Sequence, residues 1–265
     1  MKLVPGRSLS FDPVAGDYDR TRVIPKPIRE DIAALCADFA HLNDGGLFLD
    51  AGVGTGRFAA PLAQIAPGQI IGVDLSLAMM GQATQKAPSG SVHLAQANLQ
   101  RLPFRDGVFS GALLVHILHL IERWPLVLDE LRRALAPRRS VLLLGVEMGS
   151  RSRLVDYYYE RARAAGVLAQ PLGAASLTPV LAYLRQSAQI EQVASPNLVW
   201  KRYVTVEDVL GALFRRTYSQ MWNIPEDAHQ KLLAETRDYA LRTFGDESAV
   251  ETLNARFDLH TVRWL

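Results

Sequence analysis

Two carboxylates and three glycines stand at spacings that suit a nucleotide-like ligand. Asp50 ends the apolar run Leu47-Phe48-Leu49. Gly52, Gly54 and Gly56 follow at alternate positions, before Phe58, Ala59, Leu62 and Ile65 resume helical spacing. A turn of residues without Cβ lets a ligand approach the backbone, and the helix that follows begins with N–H groups lacking intrahelical partners. Asp74 lies 22 residues beyond Gly52, the distance at which a strand-turn-helix-strand unit returns to one edge of a parallel sheet. A carboxylate there can accept two hydrogen bonds from a vicinal ribose diol. His116 and His119 follow a later apolar stretch and are candidate general bases; Glu147 is a weaker one, and Tyr18 a candidate neighbour of the reacting group.

The glycine run separates two cofactor classes. A dinucleotide site calls for G-x-G-x-x-G, and counting from Gly52 the third glycine falls at Arg57. An acid just before the first glycine suits a ligand carrying an ammonium and a sulfonium better than one carrying two phosphates. These features favour S-adenosylmethionine over a nicotinamide dinucleotide.

The elements needed to position these residues can be read along the chain. Residues 1–23 read as a polar arm, and Pro25 and Pro27 precede an amphipathic helix over 28–39. Asn43 to Gly46 ends that helix and leads into the strand before the glycine turn. Pro67-Gly68 marks a break. Residues 69–74 read as a second strand, Ser76 as the N-cap of a helix over 77–86, and 91–95, 108–117 and 141–146 as further strands, with a helix over 125–135. Continuous apolar strands alternating with helices predict an α/β, doubly wound, mainly parallel sheet covered on both faces. Helices are expected over 151–165, 178–188, 206–218 and 225–244, a strand over 190–204 interrupted at Ser195-Pro196-Asn197, and a last strand over 256–264. The expected organisation is an arm and helix at 1–46, a cofactor-binding core at 47–149, a helical insertion or cap at 150–190, and a C-terminal part at 191–265 that completes the sheet and the acceptor side.

FLDAGVGTGRFA, GVDLSLAMM, LPFRDGVFSGALLVHILHLI and LDELRRALAPRRSVLLL, in that order over 47–146, resemble the motifs of class I S-adenosylmethionine-dependent methyltransferases of the type 11 group. The resemblance implies a seven-stranded Rossmann-like sheet and transfer of a methyl group to a small-molecule acceptor. It places the cofactor against Asp50, Ala51, Gly52, Gly54, Gly56, Asp74, Leu75, Met79, Asn98, Leu99 and Val115. FDPVAGDYDRTR resembles the family's N-terminal arm, in which Tyr18 and Arg22 close over the cofactor. TVEDVLGALFRRTYSQMWNIP resembles its acceptor-side segment, making Tyr218 and Trp222 acceptor contacts, while Tyr158 in the preceding helix is a further candidate. Three departures stand out. Asn98 occupies the usual aspartate position, leaving an amide oxygen to accept from an adenine amino group. Ser110 replaces a frequent aspartate, and Arg138-Arg139 replaces the glycine expected after Pro137.

Composition narrows the alternatives. With 265 residues, 49% of them hydrophobic, the chain can bury a full core, and its net charge of +2 implies no general polyanion-binding surface. Arg132, Arg133, Arg138 and Arg139 read as a solvated helix end rather than a nucleic-acid contact. Cys36 is the sole cysteine, which excludes an internal disulfide and a cysteine-rich metal site. No apolar run reaches the roughly 18 residues of a membrane span, and the first ten residues show no signal-peptide core, so a cytoplasmic protein without a membrane partner is expected. The readings carried forward are a small-molecule methyltransferase, a cofactor-binding but catalytically idle or regulatory protein, and a nicotinamide oxidoreductase.

Overall fold

The computed structural model describes residues 8–9, 11–12, 15–16, 18–67, 69–137, 139–193 and 198–265. The expected break at Gly68, the turn at Arg138, the interruption at Ser195-Pro196-Asn197 and parts of the arm lie outside the described residues. In chain order the elements are α1 (Tyr18–Thr21), α2 (Lys26–Phe39), β1 (Leu47–Ala51), α3 (Ala59–Ile65), β2 (Ile70–Asp74), α4 (Leu77–Lys86), β3 (Val92–Gln96), β4 (Phe109–Val115), α5 (Pro125–Ala134) and β5 (Val141–Gly149). They continue with α6 (Arg153–Ala164), α7 (Leu177–Leu184), β6 (Ala188–Gln192), β7 (Val199–Thr205), α8 (Val206–Phe214), α9 (Glu226–Phe244) and β8 (Val250–Trp264).

Local chemistry accounts for several of these limits. Pro27 sits in the first turn of α2, where a missing N–H breaks no helical bond, and Ile28, Ile32 and Cys36 recur on its buried face. The Ser76 hydroxyl accepts the Met79 N–H at 3.1 Å and caps α4. The Thr205 hydroxyl accepts the Asp208 N–H at 3.0 Å and caps α8. Gly245, at φ 76°, ends α9 in the left-handed conformation that favours glycine.

The sheet runs β3-β2-β1-β4-β5-β8-β6, with β7 also on β8. Strands β1 to β5 are parallel and β8 is antiparallel to its neighbours. Among the described residues the sheet therefore has eight strands rather than seven. The stretch read as one broken strand forms both β6 and β7. They lie one after the other along the edge of β8 opposite β5, pairing from Ala188↔Trp264 and from Val199↔Arg256. Alternation within 190–204 reveals an extended chain but cannot reveal how many partners it takes. In β8, buried and exposed residues alternate over 250–256 and give way to an unbroken buried run over 259–262. The change marks where the sheet passes from one covered face to two.

One face of the sheet packs against α5 and α7 through residues such as Leu131 and Val180, and the other against α2 and α3 through residues such as Ile32 and Leu62. A third cluster joins α6, α8 and α9 around Leu154, Leu213 and Leu232. Within 150–190, therefore, α6 belongs to the helical cap and α7 to the cover of the sheet. Arg133 ties its helix end to the loop before β4 through Phe104 O at 2.9 Å and Asp106 at 2.6 Å, and pairs within the helix with Glu130 at 2.7 Å.

Candidate active site

A cavity of 410 Å³ opens over the carboxyl ends of β1, β2, β4 and β5, where open α/β sheets bind ligands. Its floor is the glycine turn. Gly52 and Gly54 adopt φ of 84° and 53°. A Cβ at either would stand 3.3 Å from Ile117 or Met79, so the turn passes through space that side chains on both sides already occupy. Asp74 sets its far edge: one carboxylate oxygen accepts the Gly54 N–H and the other the Ser76 N–H, both at 2.9 Å. Burial raises its pKa above the usual carboxylate value, and the amide donors oppose that shift. Leu75, 38% exposed, joins Met79 and Leu99 as an apolar slot beside it. The Asn98 side-chain oxygen accepts the Gln100 N–H at 2.9 Å and holds the turn after β3, retaining one lone pair toward a ligand.

The arm forms the roof. Leu9 donates its N–H to Leu120 O at 3.1 Å. Asp12 accepts the Ser76 hydroxyl at 2.5 Å and the Ala78 N–H at 3.2 Å. Asp19 accepts the Thr55 hydroxyl at 2.6 Å and pairs with Lys86. Arg57 donates to Arg22 O at 2.7 Å. Arg22 lies 4.6 Å over the Tyr18 ring, and its Nη1 is buried with no hydrogen-bond partner among the described residues. A buried guanidinium nitrogen in that state is suited to an anion.

Neither histidine is set up as a strong base. His116, at φ 48°, turns the chain at the end of β4, and its Nε2 accepts the Glu147 N–H at 2.7 Å. That bond assigns the neutral ring's proton to Nδ1 and occupies the nitrogen that would otherwise take a proton from an acceptor. Burial first, then nearby His119, Arg57 and Arg22, lowers its pKa to about 3. His119 faces the cavity, and burial together with Arg22 lowers its pKa to about 4. Glu147 stands between Arg57 at 3.8 Å and Arg202 at 4.0 Å.

Of the residues singled out in the sequence, the cavity brings together Tyr18, Arg22, Gly52, Gly54, Asp74, Leu75, Met79, Asn98, Leu99, Val115, His116, His119, Glu147 and Tyr218. The others stand behind it. Asp50 is buried under the turn, and Ala51 lies wholly inside β1. Gly56 packs on α4, where a Cβ would meet that of Ala83 at 2.9 Å. Tyr158 turns into the cap, its hydroxyl 2.7 Å from His229 Nδ1, whereas the adjacent Tyr159 reaches the cavity. Trp222 donates to Arg216 O at 2.8 Å and braces the arm through Phe11, with ring centroids 4.9 Å apart. Phe11, Arg202, Gln220 and Leu253 line the cavity without having been singled out. For Arg202 a signal existed: Trp200, Arg202 and Val204 share one face of an alternating strand, and a cation on such a face invites explanation.

A family model described as a methyltransferase domain, of the type 11 group, matches residues 49–143. Residues 49–143 are a methyltransferase domain of that group. The domain is 32% identical over 131 residues to a malonyl-[acyl-carrier protein] O-methyltransferase of Legionella pneumophila, covering 48% of this chain and 45% of the relative. It is 30% identical over 139 residues to a demethylmenaquinone methyltransferase of Symbiobacterium thermophilum, covering 48% and 53%. The chain thus spans about half the length of these curated relatives. The methyltransferase fold is shared with YcgJ of Bacillus subtilis at a TM-score of 0.58 and 17% identity, covering 88% of this chain and 98% of that one. It is also shared with the [4+2]-cyclase SpnF at a TM-score of 0.53 and 18% identity, covering 89% and 81%.

Proposed function

We propose that the chain is an S-adenosylmethionine-dependent methyltransferase acting on a small-molecule acceptor. The observation that carries the reading is Asp74, a carboxylate that lines the cavity and is held at the glycine turn by the Gly54 and Ser76 amides. Its oxygens suit the ribose hydroxyls, the slot of Leu75, Met79 and Leu99 suits the adenine, and the Arg22 Nη1, which has no hydrogen-bond partner among the described residues, suits the amino-acid carboxylate. When bound, the cofactor supplies a methyl group activated by its sulfonium. The chain's own task is to align the acceptor and exclude water, which the arm does by covering the cavity. With Nε2 of His116 engaged and His119 a weak base, the side chains suit an acceptor that reaches the site already deprotonated or needs no proton removed.

Calorimetry with S-adenosylhomocysteine and transfer of labelled methyl from S-adenosylmethionine to a panel of quinols, phenols and carboxylic acids test the reading. Micromolar cofactor binding with transfer to one acceptor class is expected. Binding of NADH without binding of either sulfur cofactor would overturn it. A second reading, a cofactor-binding protein without methyl transfer, draws on the likeness to SpnF, which is described as a cyclase. Cofactor binding with no transfer across the panel would favour it.

A further inference from the structure

Arg57 stands where a dinucleotide turn would carry its third glycine, and its side chain reaches away from the turn. It is 8% exposed and does not line the cavity, whereas Arg22 and Glu147, the residues it joins, both do. Nη1 donates to the Arg22 carbonyl oxygen at 2.7 Å and lies 3.8 Å from a Glu147 carboxylate oxygen. The guanidinium carbon is 5.4 Å from the centroid of the Tyr18 ring and as far from that of Phe58. A single side chain thus connects the residue that follows α1, the approach to α3 beside the glycine turn, and the end of β5. Glu147 is itself fixed from two sides, since its N–H donates to His116 Nε2 at 2.7 Å and its carboxylate also lies 4.0 Å from Arg202. Asp12 and Asp19 hold the arm elsewhere, on Ser76, Ala78, Thr55 and Lys86.

We propose that Arg57 is a positioning residue for cofactor binding: anchored on Glu147, it fixes the main chain at Arg22 so that the buried Nη1 of Arg22 meets the amino-acid carboxylate of the cofactor. The proposal rests on the reading of the chain as an S-adenosylmethionine-dependent methyltransferase. The Arg22 guanidinium lies 4.6 Å from the Tyr18 ring centroid and 5.9 Å from those of Phe11 and Tyr218, and its Nη1 has no hydrogen-bond partner among the described residues. Ring faces attract a guanidinium without fixing the direction of its N–H bonds, so a long side chain in such surroundings takes its aim from where its backbone is pinned. Arg57 also stands near the buried Asp50 and could serve only to offset that charge. In that role it would matter to the stability of the whole fold, and not to one half of the cofactor.

The test compares S-adenosylhomocysteine with 5′-methylthioadenosine, which shares the adenosine and the thioether sulfur but lacks the amino-acid part, by calorimetry on the intact chain. Arg57→Met should weaken S-adenosylhomocysteine binding about tenfold and leave methylthioadenosine binding within about twofold of wild type. In an Arg22→Met background the same substitution should change S-adenosylhomocysteine affinity by less than about twofold, because the group being aimed is gone. Glu147→Gln keeps the shape of the side chain and removes its charge, and should produce the same selective loss at about threefold. Equal weakening of both ligands by Arg57→Met, or a tenfold loss that persists without the Arg22 side chain, overturns the positioning role. Unchanged S-adenosylhomocysteine affinity in both Arg57→Met and Glu147→Gln does so too. Binding of neither ligand by the wild-type chain would overturn the methyltransferase reading and the proposal with it, so the two failures are distinguishable.

Discussion

Replacing Asp50 by Asn should remove a pH-dependent loss of stability that the buried carboxylate imposes on the fold. Asp50 is 4% exposed, and its Oδ2 has no hydrogen-bond partner among the described residues. Burial first, then the nearby Asp74 carboxylate, raises its pKa from 3.8 to about 7, against the lowering influence of Arg57 and the Ala59 amide. The sign follows from where the proton is held. Between pH 3.8 and about 7 the folded chain keeps a proton that the unfolded chain has released, so stability falls as pH rises through that window. At about 1.4 kcal/mol per pH unit the whole window amounts to about 4 kcal/mol, of which about 3 kcal/mol is lost between pH 5 and pH 8. Urea denaturation of the wild-type chain and Asp50→Asn at those two pH values measures the difference. The variant should gain about 3 kcal/mol relative to wild type on going from pH 5 to pH 8, whatever its stability at either. A relative change below about 0.5 kcal/mol would show that Asp50 is ionised in the fold and that the placement of charge beneath the turn is wrong.

Further outcomes follow from the site. Asp74→Asn should weaken S-adenosylhomocysteine binding by about ten- to a hundredfold in calorimetry, because it removes the charge that strengthens two hydrogen bonds and sets an amide NH₂ against a backbone donor. Asp50→Asn, behind the cavity, should change that affinity less. A pH–rate profile between pH 6 and 9 should show no acidic limb from His119, whose neutral form prevails above its pKa of about 4. An inflection near pH 6.5 abolished by His119→Gln would contradict that. Gly56→Ala should cost about 2–5 kcal/mol in urea denaturation, from a φ of 74° and a 2.9 Å approach to the Ala83 Cβ. Ala83→Gly in the Gly56→Ala background should recover part of that cost. Lys86→Ala should speed proteolysis of the arm, since Lys86 ties Asp19 and Thr55 O to α4.

How legible these features were in the sequence depended on whether their cause was local. The glycine turn, the Ser76 cap and the strand ending at Asp74 come from short-range geometry, and each stands where the spacing puts it. The burial of Asp50 was not legible. An acid next to glycines reads as ligand-facing, and only the pleat of β1 turns it beneath the turn. Tyr158 and Tyr159 differ by one residue in a tyrosine run, and which faces the cavity is decided by the packing of α6 on α8 and α9. Arg202 and Leu253 reach the site from strands more than 140 residues beyond the glycine turn, and no periodicity within β7 or β8 announces which element they will face. The Glu147 N–H that occupies His116 links two strand ends 31 residues apart, a contact set by sheet register.

The length of β8 has a consequence for how the chain comes off the ribosome. Strands β5, β6 and β7 all take their antiparallel partner from residues 250–264, although all three are complete by residue 205. During synthesis the parallel half of the sheet can form while the outer edge of β5, with Leu142, Leu143 and Leu144 beside it, still awaits a neighbour. An uncovered apolar strand edge pairs readily with other chains. The nascent chain thus passes through an interval, from the emergence of β5 to that of β8, in which it depends on a chaperone or on speed to avoid aggregation. Slowing translation between codons 206 and 250 should lower the soluble yield more than slowing it upstream of codon 140.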